Sequence, residues 1–226
     1  MISTDKSASS TIVRKSFIAC VLLGLVLVIL GWLLVPTTSL LSIAGACFVL
    51  VIYGLIGYFG FPRIRSEILI LVGVFGLLAG AIFAGEILLE YAILPKSNTS
   101  WGVIEFGGVF AVYFLSSVVV AYRRKGIRYG ILAAVVNSML SSVVWLIFML
   151  LMFYVFRDTT RQELVFTAEG NFEDFARSGM SDFNTFVMED FLGAGFFHLL
   201  LGPIIATILG TIGGLLGKGI ARIKKQ

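Results

Sequence analysis

The chain has 226 residues, of which 58% are hydrophobic and only 13% are charged, and its mean hydropathy is +1.01. A soluble domain carries about 25% charged residues, so this chain has too few polar groups to cover a surface in contact with water. Disorder is excluded too because it requires low hydrophobicity and high charge density, and the composition therefore indicates an integral membrane protein.

Six runs are apolar and long enough to cross a hydrocarbon core, which takes about 20 residues. They lie at residues 17–35, 39–60, 67–94, 101–122, 130–156 and 191–217. The runs are continuous and do not alternate with a period of two, so they predict helices and not the strands of a barrel. The predicted fold is an all-α, six-transmembrane-helix bundle over residues 17–217. It is flanked by basic tails at 1–16 and 218–226 and carries one external loop at 157–190.

The basic residues are distributed unevenly around the predicted spans. Thirteen of the seventeen lysines and arginines fall in the two tails and in the turns after the second and fourth spans, whereas Lys96 and three arginines fall on the other side. Cytoplasmic segments are enriched in Lys and Arg, so both termini are predicted to be cytoplasmic, in a chain of the cell (plasma) membrane. These clusters favour contact with anionic lipid at the cytoplasmic face. They do not indicate nucleic-acid binding, although the pI is about 9.2.

The loop at 157–190 is acidic, with eight Asp and Glu residues against three arginines, and phenylalanines recur along it. Thr160 and Glu163 have the spacing of a capping box at a helix start. Ser181 is a candidate N-cap of a second helix that can continue into the sixth span. The loop is interpreted either as a passive cap that rests its phenylalanines on the bundle, or as a lid, a docking surface for a partner or an acidic collar that concentrates cations.

Small residues recur every fourth position in two of the spans. They are Gly76, Gly80 and Ala84 in the third span, and Gly202, Ala206, Gly210 and Gly214 in the sixth. Such stripes let helix backbones approach closely in lipid, where hydrophobic attraction between helices is weak. Packing within the chain is the favoured interpretation, and homodimerisation through the sixth span is the alternative.

Four ionisable residues lie inside the predicted spans, all in the outer half of the bundle: Glu86, Glu90, Glu105 and His198. Ionisable side chains are costly in a membrane and often mark functional sites. Glu86 and Glu90 are one helical turn apart and point the same way. Together the four predict an outward-facing site for a proton, a cation or a polar substrate group. The alternative is that the glutamates reach the interface while His198 hydrogen-bonds a carbonyl inside the bundle.

Other polar features of the spans predict local structure. Pro203 cannot donate a hydrogen bond to the carbonyl of Leu199, so the sixth span is expected to kink there and to leave that acceptor free beside His198. The fifth span carries polar residues that are expected to form hydrogen bonds between helices, namely Asn137, Ser138, Ser141 and Ser142.

No H-E-x-x-H, G-x-S-x-G or phosphate-loop motif is present in the sequence. The chain is therefore predicted not to be an enzyme, and no metal site or cofactor is expected. Two functions remain: a structural or accessory membrane component packed through its glycine stripes, or a transporter or channel-like protein that uses the four ionisable residues. A cavity that joins the four side chains favours the second function, and their dispersal favours the first.

Overall fold

The computed structural model of the chain describes residues 3–93 and 99–224, and the side chains of residues 9–93 and 102–224. No strand occurs in these ranges. The helices are α1 (Ser3–Leu34), α2 (Leu40–Leu55), α3 (Ser66–Ile93), α4 (Thr99–Arg124), α5 (Ile127–Phe156), α6 (Thr160–Glu169), α7 (Asn171–Ser178) and α8 (Phe183–Ile223). Leu94, at the predicted end of the third span, lies outside the described residues, as do Lys96 and the last two residues of the C-terminal tail.

Six of these helices are long and apolar enough to cross a membrane: Ser9–Leu34, Leu40–Arg63, Ser66–Ile93, Gly102–Arg124, Ile127–Phe156 and Phe183–Ile223. The predicted all-α, six-span fold is confirmed. The second span continues beyond α2 through a π-helical turn, Ile56–Gly60, and a 3₁₀ turn, Phe61–Arg63. α1 begins at Ser3, so most of the stretch predicted as an N-terminal tail continues the first helix.

α8 is a single helix of 41 residues, and it starts eight residues before the predicted sixth span. At 1.5 Å per residue it is about 60 Å long, twice the thickness of a hydrocarbon core. Its first turns therefore extend beyond the apolar layer, where they meet α6 and α7. The bundle end that carries these two short helices is called the α6–α7 end below.

α5 lies at the centre of the bundle, where it packs against α1, α3, α4 and α8. It is the most buried of the six spans, whereas α1 and α2 lie at the periphery. The long, mostly apolar sequence of α5 fits this position because a helix that is surrounded by other helices needs no polar face toward water.

The small residues of α3 face α5. A Cβ atom added at Gly76 would lie 2.8 Å from a side-chain atom of Leu140, and one at Gly80 would lie 3.1 Å from Val144. Ala84, the third member of this stripe, is buried. The stripe therefore lets the bulky side chains of α5 pack directly against the backbone of α3.

The small residues of α8 approach α5 more closely still. A Cβ atom at Gly210 would lie 2.9 Å from the Cα atom of Ile131, and one at Gly214 would lie 3.0 Å from the backbone carbonyl of Ile127. Ala206, between these glycines and Gly202, is completely buried. In this structure the stripe of the sixth span is occupied by another helix of the same chain, so it is not free to meet a second copy.

α6 and α8 start at positions that differ by one residue from the predicted caps. Thr159, not Thr160, caps α6 by accepting a hydrogen bond from the amide of Gln162. Asp182, not Ser181, caps α8, and its carboxylate accepts the amide of Thr185 at 2.7 Å. A carboxylate is the stronger acceptor at the positive end of a helix, which explains why the aspartate takes this position.

The phenylalanines of the acidic segment pack on one another and on the start of α8. The Phe172 ring stacks on Phe183, with centroids 4.5 Å apart, and Phe175 packs edge-on against the same ring. Phe166 contacts Phe191 farther along α8. These rings give α6 and α7 a small apolar core, which explains why so acidic a segment is folded.

Two arginines attach this segment to the ends of the membrane helices. The Arg157 guanidinium donates to the carbonyl of Leu34 at the end of α1, at 3.3 Å, and Arg161 donates to the carbonyl of Tyr91 in the last turn of α3. Carbonyls at a helix C-terminus lack partners within the helix, and they carry partial negative charge, so a cation stabilises them.

Candidate functional site: carboxylates and an aromatic cavity

Three of the four predicted site residues lie at the α6–α7 end of the bundle. Glu86 and Glu90 occupy successive turns near the end of α3, where their carboxyl groups are close electrostatic neighbours. Glu105, near the start of α4, is only 8% exposed. Carboxyl groups of like charge that lie close together favour the binding of a proton or a cation, which relieves their repulsion.

A fourth carboxylate joins this group from α6. Glu169 is an electrostatic neighbour of Glu90, together with Glu86 and Glu105. Loss of hydration raises the pKa of the Glu169 carboxyl above its usual range, and the charge of Glu86 raises it further. Sequence reasoning counted Glu169 only as part of the acidic loop because its approach to α3 depends on how α6 folds back over the bundle. We call Glu86, Glu90, Glu105 and Glu169 the carboxylate cluster.

His198 has a different environment, made of aromatic rings. Its imidazole stacks on Trp145 of α5, with centroids 4.1 Å apart and planes 10° from parallel. Phe83 of α3 meets it edge-on at 5.4 Å, and Phe106 of α4 lies at 5.9 Å. Among the described residues, neither ring nitrogen of His198 is hydrogen-bonded to a side chain or to the backbone. Phe83 precedes Glu86 by about one turn of α3, so His198 lies deeper in the bundle than the carboxylates.

His198 lines a cavity of about 150 Å³ between α4 and α8. The remaining walls are mostly aromatic and aliphatic: Phe83, Phe106, Phe110, Tyr113, Ser142, Phe197, Leu201, Gly202 and Ile205. No member of the carboxylate cluster belongs to this lining. The structure thus brings three of the predicted residues together and places the fourth in a separate, largely apolar site.

The carbonyl of Leu199, which Pro203 leaves without its helical donor, is not free as predicted. The hydroxyl of Tyr53, from α2, donates a hydrogen bond to it at 2.5 Å. The carbonyl of His198 is also bonded from outside the helix, by the Ser142 hydroxyl at 3.0 Å. α8 continues as a helix through Pro203 because neighbouring spans supply the missing donors.

The predicted hydrogen bonds between helices from the fifth span are confirmed for Asn137, Ser141 and Ser142, whereas the buried Ser138 hydroxyl has no hydrogen-bond partner among the described residues. The Asn137 amide donates to Ser116 at 2.5 Å, and the Ser141 hydroxyl pairs with that of Tyr113 at 2.5 Å, both across the contact between α5 and α4. Ser117 of α4 extends the same polar row to α8, where it donates to the carbonyl of Gly210 at 2.7 Å. These buried groups hold the three helices in a fixed register.

Sequence reasoning missed Glu189, which binds the start of α2. Its carboxylate accepts the backbone amide of Ser39 and the hydroxyl of Ser42. One turn earlier in α8, Thr185 pairs with Thr37. The first turn of α2 has no acidic residue of its own. That gap is the only feature of the sequence which indicates that an acidic residue from another helix stabilises the positive N-terminal end of α2. Glu189 was counted instead among the acids of the loop.

Within the described ranges, no three histidine, cysteine or carboxylate side chains are placed to hold one metal ion. The fold and these contacts define a multi-pass integral membrane protein that has a carboxylate cluster at one end and an aromatic cavity in its interior. Comparison of the sequence and structure with protein-family models, curated proteins and solved structures finds no match.

Proposed function

We propose that the protein is a structural or accessory component of the cell membrane, which presents its acidic α6–α7 segment to a protein partner. The observation that carries this proposal is the filled centre of the bundle. α8 meets the backbone of α5 at Gly210 and Gly214, and the polar row of Asn137, Ser116 and Ser117 is bonded within the chain. Helices packed in this way support a rigid scaffold, and the cavity that His198 lines includes none of the other three predicted site residues.

The acidic segment supplies the surface that a partner would recognise. α7 has no buried residue, and Glu163 and Glu173 are exposed on α6 and α7. The phenylalanines of the segment face inward, so its acidic side chains remain available to a basic partner surface. With both termini in the cytoplasm, as the basic residues predict, this surface lies outside the cell. Complementary charge would favour association and partner choice.

The test reverses the charge of this surface and measures the size of the native assembly. Glu163→Lys combined with Glu173→Lys is compared with Arg222→Glu, which reverses an exposed charge at the opposite end of the molecule. Native electrophoresis of solubilised membranes should show a smaller complex for the first variant alone, with thermal stability unchanged for both. A complex of the same size in all three proteins would contradict the docking role.

A second candidate function, transport or conduction of protons or cations, is favoured by the grouping of Glu86, Glu90 and Glu105 at one end of the bundle. Carboxyl groups that lie close together beside the buried Glu105 could take up a proton and release it as the bundle opens. Without His198, the candidate site reduces to the carboxylate cluster.

Proton flux into liposomes, followed with an internal pH dye, tests this candidate. Wild-type protein should carry a flux that Glu86→Gln reduces at least tenfold. Glu163→Gln, which removes an exposed acid away from Glu90, should leave it unchanged. Flux equal to that of empty liposomes, or flux insensitive to Glu86→Gln, would refute the transport function and leave the structural role as the surviving proposal.

A further inference from the structure

The cavity beside His198 reaches the lipid-facing surface of the bundle. Three of its lining residues are exposed on membrane-spanning helices: Phe106 of α4 at 40%, and Phe197 and Leu201 of α8 at 62% and 42%. An occupant could therefore enter sideways from the bilayer, between α4 and α8, without crossing water. This route selects molecules that dissolve in the membrane.

The volume of the cavity limits the size of its occupant. An apolar protein cavity of about 150 Å³ holds one benzene molecule, and this cavity has about that volume. Its aromatic walls offer edge and face contacts to a planar ring, including the exposed ring of Phe197 at the surface. One six-membered ring fits, with any chain attached to it remaining in the lipid between the helices.

The polar groups of the lining indicate what the ring must carry. The hydroxyls of Tyr113 and Ser142 are already bonded, to Ser141 and to the carbonyl of His198. The imidazole of His198 lacks a hydrogen-bond partner among the described residues, and the stacked Trp145 ring covers one of its faces. A neutral imidazole offers one N–H donor, and a donor that faces hydrocarbon without an acceptor is costly in a membrane.

We propose that this cavity binds the ring of a membrane-soluble quinone, with a ring carbonyl accepting a hydrogen bond from His198. The ring lies against the aromatic walls, and the alkyl tail leaves between α4 and α8 past Leu201. The proposal concerns binding alone and includes no electron transfer. It uses neither the acidic α6–α7 surface nor the carboxylate cluster, so it stands or falls independently of both candidate functions.

Binding is measured with the full chain in detergent micelles, with a decyl-substituted benzoquinone as the probe. Quinones quench indole fluorescence at short range, and Trp145, which contacts His198, reports on the cavity once Trp32 and Trp101 are changed to Phe. Saturable quenching is expected. His198→Phe keeps the ring stack but loses the donor, and it should weaken binding about tenfold, the effect of one hydrogen bond.

A matched pair of variants tests the route and remains informative if His198→Phe fails to fold. Leu201→Phe narrows the opening and should weaken quinone binding at least fivefold. Leu200→Phe, at an equally exposed neighbour that does not line the cavity, should leave it unchanged. Equal affinities for the two variants would overturn the proposal. Displacement of the quinone by decylcyclohexane at equal concentration would overturn it too, since a simple hydrocarbon guest needs no donor.

Discussion

The hydrogen bond from Tyr53 to the carbonyl of Leu199 gives a quantitative test of how α8 tolerates Pro203. Both residues are buried, and the hydroxyl lies 2.5 Å from the carbonyl oxygen. Tyr53→Phe removes only the hydroxyl and leaves a buried acceptor without a donor. Such losses cost about 1–3 kcal/mol, and hydrogen bonds between membrane helices reach about 1.7 kcal/mol. We expect a loss of about 1–1.5 kcal/mol in the free energy of unfolding.

The same substitution should cost less when position 203 regains its amide. In Pro203→Ala the new N–H can bond the carbonyl of Leu199 within α8, so that acceptor no longer depends on Tyr53. We expect Tyr53→Phe to cost about 0.5 kcal/mol in this background, because the carbonyl then keeps one donor. The double-mutant cycle should yield a coupling energy of about 0.5–1 kcal/mol.

Reversible unfolding in mixed detergent micelles measures the four free energies of this cycle. Tyr58→Phe, which removes a hydroxyl from an exposed ring five residues farther along the same span, is the control and should be neutral. Additive effects of Tyr53→Phe and Pro203→Ala would refute the reasoning, as would a control variant that loses as much stability as Tyr53→Phe.

Two further predictions concern packing and pH. Gly210→Ala places a methyl group 2.9 Å from the Cα atom of Ile131 and should cost about 1–3 kcal/mol in unfolding free energy. The control is Gly219→Ala, whose methyl group meets nothing within 4 Å, and it should be neutral in the same assay. Hydrogen bonds from Thr185 lower the pKa of the Asp182 carboxylate. The stability that this charged cap contributes is therefore complete above the ordinary Asp pKa of about 3.9, and it is lost as the pH falls through the lowered pKa of the folded protein. Asp182→Asn keeps the cap without the charge, so the wild type should lose stability relative to this variant between pH 6 and pH 2, by a small amount because solvent screens the charge at this exposed site. Parallel stability curves for the two proteins would contradict the assignment.

Much of the carboxylate cluster follows from local sequence, because Glu86 and Glu90 are one turn apart in a helix whose direction is set by the spans. The position of His198 does not. Its side chain lies on the same face of α8 as the glycine stripe, as its spacing from Gly202 predicts. The rings around the imidazole, however, include Trp145 and Phe83, which come from two other helices. Nothing in the local pattern around His198 reveals that its neighbours would be rings and not carboxylates.

The six spans were determined by the sequence alone because a run of about 20 apolar residues has few stable states other than a membrane helix. Capping patterns also located the starts of α6 and α8 to within one residue. The partners of each buried polar group were decided only by tertiary structure, since which carbonyl Tyr53 reaches and which helix end Glu189 binds depend on contacts between residues about 150 positions apart. Local sequence fixes where a donor lies along its helix, but the acceptor it meets is set by the packing of the whole bundle.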